Sequence, residues 1–454
     1  MLHPPAPAPR GRPTRADHPW LWTAGAVVAA APLWLSHLPS LLLHAQLYAD
    51  DGAWYSAASL HGALGTLLLP ANGYLVLLQR SAAAVALAVP LIAVPALFNV
   101  VALLVVLGGV AYLVSPRMGA AIPRPAVRAA AALVILALPN AYDTMGNLTN
   151  SQWHLALIAF LVIFATPPRG IAGWAVDIGV LVVAGLTGPY AVLLAPIAAW
   201  RFRRERWQRR AGVVLLVVAA CAALQGGVAL TQVGAERVSG PLDAGVVPLV
   251  TMLGRQLTLG LLSGAHGLTA LMGTPLADDP VVLGLLAAVP LAVCAVVAWR
   301  GPDILRGLWA FALLTLVAAL ASPSIGPPRW RQLGVPAGIA HFHPHGIRYF
   351  LFALLAFALS LGWMAWWGLL AGRRRTGTGR DAGRLMVGAA AAALLLIAAS
   401  QGVPRDWAYP PYLDEHWAAE VRAYELAPPG ARVVLPINPA GWTMTLVAPG
   451  RAAR

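Results

Sequence analysis

The chain contains no lysine; all 31 of its basic residues are arginine. Charge of either sign is scarce, at 11% of 454 residues, against roughly 25% in soluble globular domains. That shortage excludes a water-soluble enzyme. A hydrophobic content of 59% and a mean hydropathy of +0.71 exclude a disordered chain. The only two cysteines, Cys221 and Cys294, sit inside apolar runs, which argues against a disulfide framework. Soluble-enzyme signatures are missing too: there is no phosphate-binding glycine loop, no nucleophile elbow and no paired CxxC. The 44 glycines and 38 prolines do not signal disorder, because they lie within apolar runs, where membrane helices tolerate them.

What the chain does have is a series of long apolar runs. The first, from Trp20 to Leu43, follows Arg10, Arg12 and Arg15. It is too long for a signal-peptide core and ends without an A-x-A site, so it reads as an uncleaved anchor. Further spans are expected at 85–114, 126–139, 153–165, 171–186, 189–200, 211–231, 281–299, 308–322, 348–370 and 385–402. The expected fold is therefore an all-α polytopic membrane protein with about eleven transmembrane helices. Residues 1–19 form a cytoplasmic N-terminal segment, 20–402 the multispanning domain and 403–454 a small extracytoplasmic α/β tail. In the tail, a helix is expected over 414–424, a strand over 432–437, a turn at Asn438-Pro439 and a second strand over 442–447.

A net charge of +14 could serve nucleic acid, but the distribution of arginine says otherwise. With the N-terminus inside, the inner segments hold 20 arginines against four acids, and the outer ones 11 against twelve. The excess is the positive-inside signature of a plasma-membrane protein, and nucleic acid drops out as a partner. The Arg201–Arg210 stretch reads as an anchor to anionic lipid. The long segments (44–84, 232–280, 323–347 and the tail) all lie outside, so polar chemistry is expected there.

Several outer motifs carry that chemistry. Asp50 and Asp51 follow the first span in Tyr48-Ala-Asp-Asp-Gly-Ala-Trp-Tyr55; a carboxylate there could act as a general base, or cap an interfacial helix running to about Leu64. Arg80 lies outside, before the second span, where it could grip a phosphate or snorkel to the interface. The string from Asp143 to His154 holds Asn147, Asn150 and Gln152, amide groups suited to sugar hydroxyls or to a hairpin turn. Before the tenth span, His341, His343 and His345 alternate ahead of Arg348 and Tyr349. Alternate histidines could ligate a metal, but no acid accompanies them in that loop, and an anion site or a plain loop are the other readings. Asp278-Asp279-Pro280 reads as a helix N-cap with proline at the first position. Asp177 is the one acid inside a span, near its inner end.

Taken together, these features resemble the GT-C superfamily of integral membrane glycosyltransferases, which use polyprenyl-phosphate sugars as donors. The resemblance rests on an acidic motif straight after the first span, a long first outer loop with interfacial helices, many spans and an outer tail. It rests also on local strings: Gly73-Tyr74-Leu75 with Arg80, Asn147-x-x-Asn150-x-Gln152-Trp153, Thr187-Gly188-Pro189-Tyr190, Arg348-Tyr349 and Leu435-Pro-Ile-Asn-Pro-x-Gly-Trp442. It implies that Asp50 or Asp51 is the catalytic base, and that arginines at outer span mouths hold the donor phosphate. Tyr74, Asn147, Asn150, Gln152, His343, His345 and Tyr349 would line the substrate site. The implied partners are a polyprenyl-phosphate sugar, an envelope glycan, lipid or protein acceptor, and membrane lipids. No organic cofactor is implied, and a divalent metal is neither required nor ruled out. The tail is smaller than the soluble domains of many such enzymes. Two other function classes compete: a transporter or lipid flippase, for which Gly188-Pro189 would be a midplane helix break, and a non-catalytic envelope scaffold.

Overall fold

A computed structural model describes residues 19–231, 242–321, 329–336, 346–370 and 380–449. Among them, seven helices are long and apolar enough to cross a membrane: Leu91–Val114, Arg209–Thr231, Val246–Leu271, Pro280–Arg300, Asp303–Ala321, Ile347–Leu370 and Ala382–Asp406. Trp20–Leu35, Pro125–Leu136, Ser151–Phe164 and Gly170–Gly185 are apolar but shorter. A 14-residue helix such as Ser151–Phe164 rises about 21 Å, short of the ~30 Å hydrocarbon core. The chain is thus a multi-pass, mostly helical membrane protein, and seven helices among the described residues have the length of a full crossing.

Six of those seven coincide with expected spans. Val246–Leu271 falls instead in a stretch read as an outer loop, and it is the least apolar, with a hydropathy of 1.4. It is irregular: π-helical turns run over Leu253–Leu259, and Gly264 breaks the helix at φ 72°. Its polar contacts all go to one end of the bundle. The Gln256 amide donates to the Leu333 and Val335 carbonyls, Thr258 donates to the Leu286 carbonyl, and the Ala265 amide donates to Asp406. The segment has the composition of a span, yet it is fastened to the chain ends beside Asn140 and Asp406.

Two helices form the bundle centre. Ser151–Phe164 and Leu351–Ala365 are buried almost all round, as their unbroken apolar sequences require. Phe311 and Phe352 meet there at 4.5 Å between ring centroids. Outlying helices leave apolar faces uncovered: only 17% of the Ala382–Asp406 window and 22% of the Arg209–Thr231 window is buried in protein. Such faces are stable against lipid and not against water.

Several arginines read as inner find carboxylates at one end of the bundle. Arg117 pairs with Asp177 (Nη2–Oδ2 2.6 Å), and the Tyr112 hydroxyl donates to the same carboxylate at 3.1 Å. Arg204 and Arg306 both reach Asp303, at 3.1 and 3.3 Å. Asp177, the one acid expected within a span, is therefore a buried structural ion pair. Asp279 accepts from the Val281 and Val282 amides, the N-cap that Asp-Asp-Pro predicts.

At the other end, the tail folds as a helix, Trp417–Leu426, and an antiparallel hairpin of β1 (Arg432–Ile437) and β2 (Trp442–Val447). Alternation along the strands buries Leu435, Ile437, Met444 and Leu446 in one cluster with Trp54, Tyr55 and Ala58 of the Asp51–Thr66 helix. Gly52 permits that approach: a Cβ there would stand 2.8 Å from Ile437 Cδ1 and 3.0 Å from Met444 Cβ.

Candidate functional site

The Asp-Asp pair sits where three parts of the chain join. The Asn438 amide donates to the Leu47 carbonyl at 3.0 Å, so the tail braces the strand-like segment just before the pair. Ala49 is held at φ 50°, a conformation alanine adopts only under constraint from its surroundings. The helix Asp51–Thr66 then begins, as the interfacial-helix reading expects, although Asp50 at its N-cap makes no side-chain capping bond.

The two carboxylates differ in environment. Asp51 is fully buried: Oδ1 accepts from the Thr149 hydroxyl at 2.7 Å and the Thr149 amide at 2.9 Å, and Oδ2 from the Tyr48 amide at 3.2 Å. Burial outweighs these bonds and pushes its pKa up to about 7. Asp51 is thereby a strut between the 48–51 segment and the 147–151 turn. Asp50 is half-buried, and its negative charge is near enough to the Tyr74 phenol to oppose its ionisation.

Tyr74 is the meeting point. Its neighbours are Tyr349, Asp50, Arg348 and Gln152, and burial pushes its pKa up to about 12. Arg348, at the mouth of Ile347–Leu370, lies 3.3 Å from the Asp143 carboxylate and within reach of Tyr349 and Tyr48. Asp143 is buried, and its pKa is raised by burial against the pull of Arg348. The string around it is tightly folded: the Asn150 side chain donates to the Asp143 carbonyl at 2.8 Å, and the Asn147 side chain accepts from the Asn150 amide at 2.8 Å. Asn147 and Asn150 thus build the floor of the site. Gln152 reaches the site itself, and Gly188 makes room for it: a Cβ at Gly188 would lie 2.7 Å from Gln152 Oε1.

The Thr187–Tyr190 motif is anchored from below. Gln225 accepts from the Leu75 amide at 2.8 Å and donates to the Gly188 carbonyl at 2.9 Å, clamping the Tyr74 strand to that turn. Gly188-Pro189 lies in the connection between Gly170–Gly185 and Tyr190–Arg204 and does not interrupt a helix.

Asp50, Tyr74, Gln152, Arg348 and Tyr349 come together, with Asn147 and Asn150 supporting them. Arg80 is engaged elsewhere: Nε donates to the Leu69 carbonyl at 3.3 Å and the guanidinium lies 5.0 Å over the Trp54 ring. His343 and His345 lie outside the described residues. Among the described residues no three His, Cys, Asp or Glu side chains gather as a metal site would need.

Sequence reasoning named Tyr74 and Tyr349 for the site and passed over the tyrosines around them. Seven of the ten (Tyr48, Tyr74, Tyr142, Tyr190, Tyr349, Tyr409 and Tyr412) belong to this end of the molecule. Tyr48 stacks on Tyr412 of the tail at 5.2 Å, and Tyr409 stacks on His37 at 4.7 Å. The available signal was positional, since nearly every tyrosine falls in an outer segment. Asp143 was visible in its polar string but not distinguished from it.

The assembled groups are a half-buried carboxylate, a guanidinium and a wall of phenols and amides. A carboxylate can take a proton from an alcohol, a guanidinium can hold a phosphate, and phenols and amides suit sugar hydroxyls. No protein-family model and no curated protein sequence matches the chain.

Proposed function

We propose that this protein is a membrane glycosyltransferase of GT-C type, moving a sugar from a polyprenyl phosphate to an envelope acceptor on the outer face of the plasma membrane. In this reading Asp50 is the base that deprotonates the acceptor hydroxyl. The resulting oxygen attacks the anomeric carbon, the bond to the phosphate oxygen breaks, and Arg348 stabilises the departing polyprenyl phosphate. An inverting outcome is expected from the resemblance. Asp51 positions Asp50 through Thr149 and Tyr48. The architecture belonging to this reading has about eleven crossings, counting the short apolar helices as tilted or partial spans. It places the N-terminus in the cytoplasm and the tail outside.

One observation carries the proposal. Asp50 and Arg348, nearly three hundred positions apart in sequence, both lie close enough to the Tyr74 phenol to act on its charge, with Gln152 beside it. A base and a phosphate holder on one spot are what glycosyl transfer from a lipid phosphate needs. The test is Asp50→Asn, assayed in membranes with labelled polyprenyl-phosphate sugars. Transfer should fall by about a hundredfold or more while expression and insertion stay normal. Full transfer by Asp50→Asn would overturn the assignment of the base.

A further inference from the structure

Arg80 is buried, with 5% of its surface exposed, and no carboxylate among the described residues lies within ion-pair distance. Its Nη1 has no hydrogen-bond partner there. Two more buried donors belong to residues linked to Arg80 and are also without partners: the Trp54 indole Nε1, whose ring lies beneath the guanidinium, and the Thr66 hydroxyl, whose own carbonyl accepts from the amide of Leu69, the residue Arg80 binds. A buried cation is costly unless an anion compensates it, and guanidinium with neighbouring N–H and O–H donors fits the oxygens of a phosphate. The surroundings indicate where that phosphate comes from. Leu60, Leu64 and Leu68, on the same helix and the turn after it, are 73%, 85% and 65% exposed, an apolar edge suited to acyl chains.

We propose that Arg80, with Trp54 and Thr66, forms a binding site for the phosphate headgroup of a bilayer phospholipid, whose acyl chains lie along Leu60, Leu64 and Leu68. The lipid seats the Asp51–Thr66 and Leu77–Ala86 helices on the membrane surface. The site is separate from the Asp50–Arg348 cluster and does not depend on the reaction assigned to it.

The test is native mass spectrometry of the full chain released from phosphatidylglycerol nanodiscs, comparing wild type, Arg80→Met, Arg80→Lys and Asp50→Asn. Wild type and Asp50→Asn should retain one tightly held phosphatidylglycerol. Arg80→Met should hold it roughly tenfold to a hundredfold more weakly, the loss expected for a charge-assisted contact, and Arg80→Lys should fall between them. Arg80→Met removes an uncompensated charge while keeping the bulk of the side chain, so it should fold. Should it not, Thr66→Val gives the same readout with a smaller loss. Equal retention by wild type and Arg80→Met overturns the site. Displacement by millimolar inorganic phosphate overturns the lipid assignment in favour of a free anion. One-for-one displacement by a polyprenyl phosphate overturns it in favour of the donor. Retention of a phosphate-free galactolipid to the same extent overturns the headgroup as the recognised part.

Discussion

Asp50 and Asp51 are identical neighbours in sequence, and nothing in the string Ala-Asp-Asp-Gly separates them. What separates them is the set of donors that the fold delivers. Asp51 receives three, from Thr149 and Tyr48, at zero exposure, while Asp50 is only half-buried. Burial has a measurable consequence for Asp51. Its pKa rises from 3.8 to about 7, so between those values the folded chain keeps a proton that the unfolded chain gives up. Stability contributed by that proton is fully present at acid pH, declines as pH rises from about 4 to about 7 and levels off above. Asp51→Asn has no such proton. The melting temperature of wild type minus that of Asp51→Asn, followed in detergent micelles, should therefore shrink by several degrees from about pH 4.5 to about pH 7.5. A difference that stays flat across the range would mean that Asp51 is ionised throughout, held by its three donors.

Elements were legible where a local signal ruled them. The strands Arg432–Ile437 and Trp442–Val447 follow from two β-prone runs either side of the Asn438-Pro439 turn, and the Asp279 cap from one Asp-Pro dipeptide. Val246–Leu271 was not legible as a helix, because Arg255, Gln256, His266 and four glycines dilute its apolar run, and the partners that satisfy them come from 140, 277–286, 333–335 and 406. The site was half legible for the same reason. Its carboxylate, Arg348 and the amides announce themselves locally, whereas the tyrosine wall is assembled from six separate segments. Gly52 shows how closely one element depends on another. Gly52→Val would force side-chain carbons into Ile437 and Met444, an overpacking that costs about 1–3 kcal/mol. The expected result is a tail hairpin that proteases cut faster than in wild type, together with reduced transfer, because Asn438 would no longer brace Leu47 and Ala49 beside Asp50. Unchanged proteolysis would show that the hairpin tolerates the added methyls by shifting as a unit.

For the whole molecule, the scarcity of charge becomes a sorting of it. Of the 20 arginines read as inner, Arg117 packs on Asp177 and Arg201, Arg204 and Arg306 gather on Asp303, while segments with balanced charge build the Asp50–Arg348 end. If the positive-inside rule governs this chain, the first end faces the cytoplasm and the second, with the tail, faces outward. Single cysteines test that orientation. Cys221 is buried and Cys294 half-buried within apolar helices, so replacing both by alanine gives a background without reactive thiols. Arg422→Cys then reports on the exposed face of the tail helix, and Gln208→Cys on the exposed arginine-rich turn. In intact cells a membrane-impermeant maleimide should label the Arg422→Cys protein at once and the Gln208→Cys protein only after the membrane is opened. The reverse pattern would put the carboxylate end in the cytoplasm. Asp50 would then meet nucleotide-activated sugars rather than lipid-linked ones, and the donor class would have to change with it.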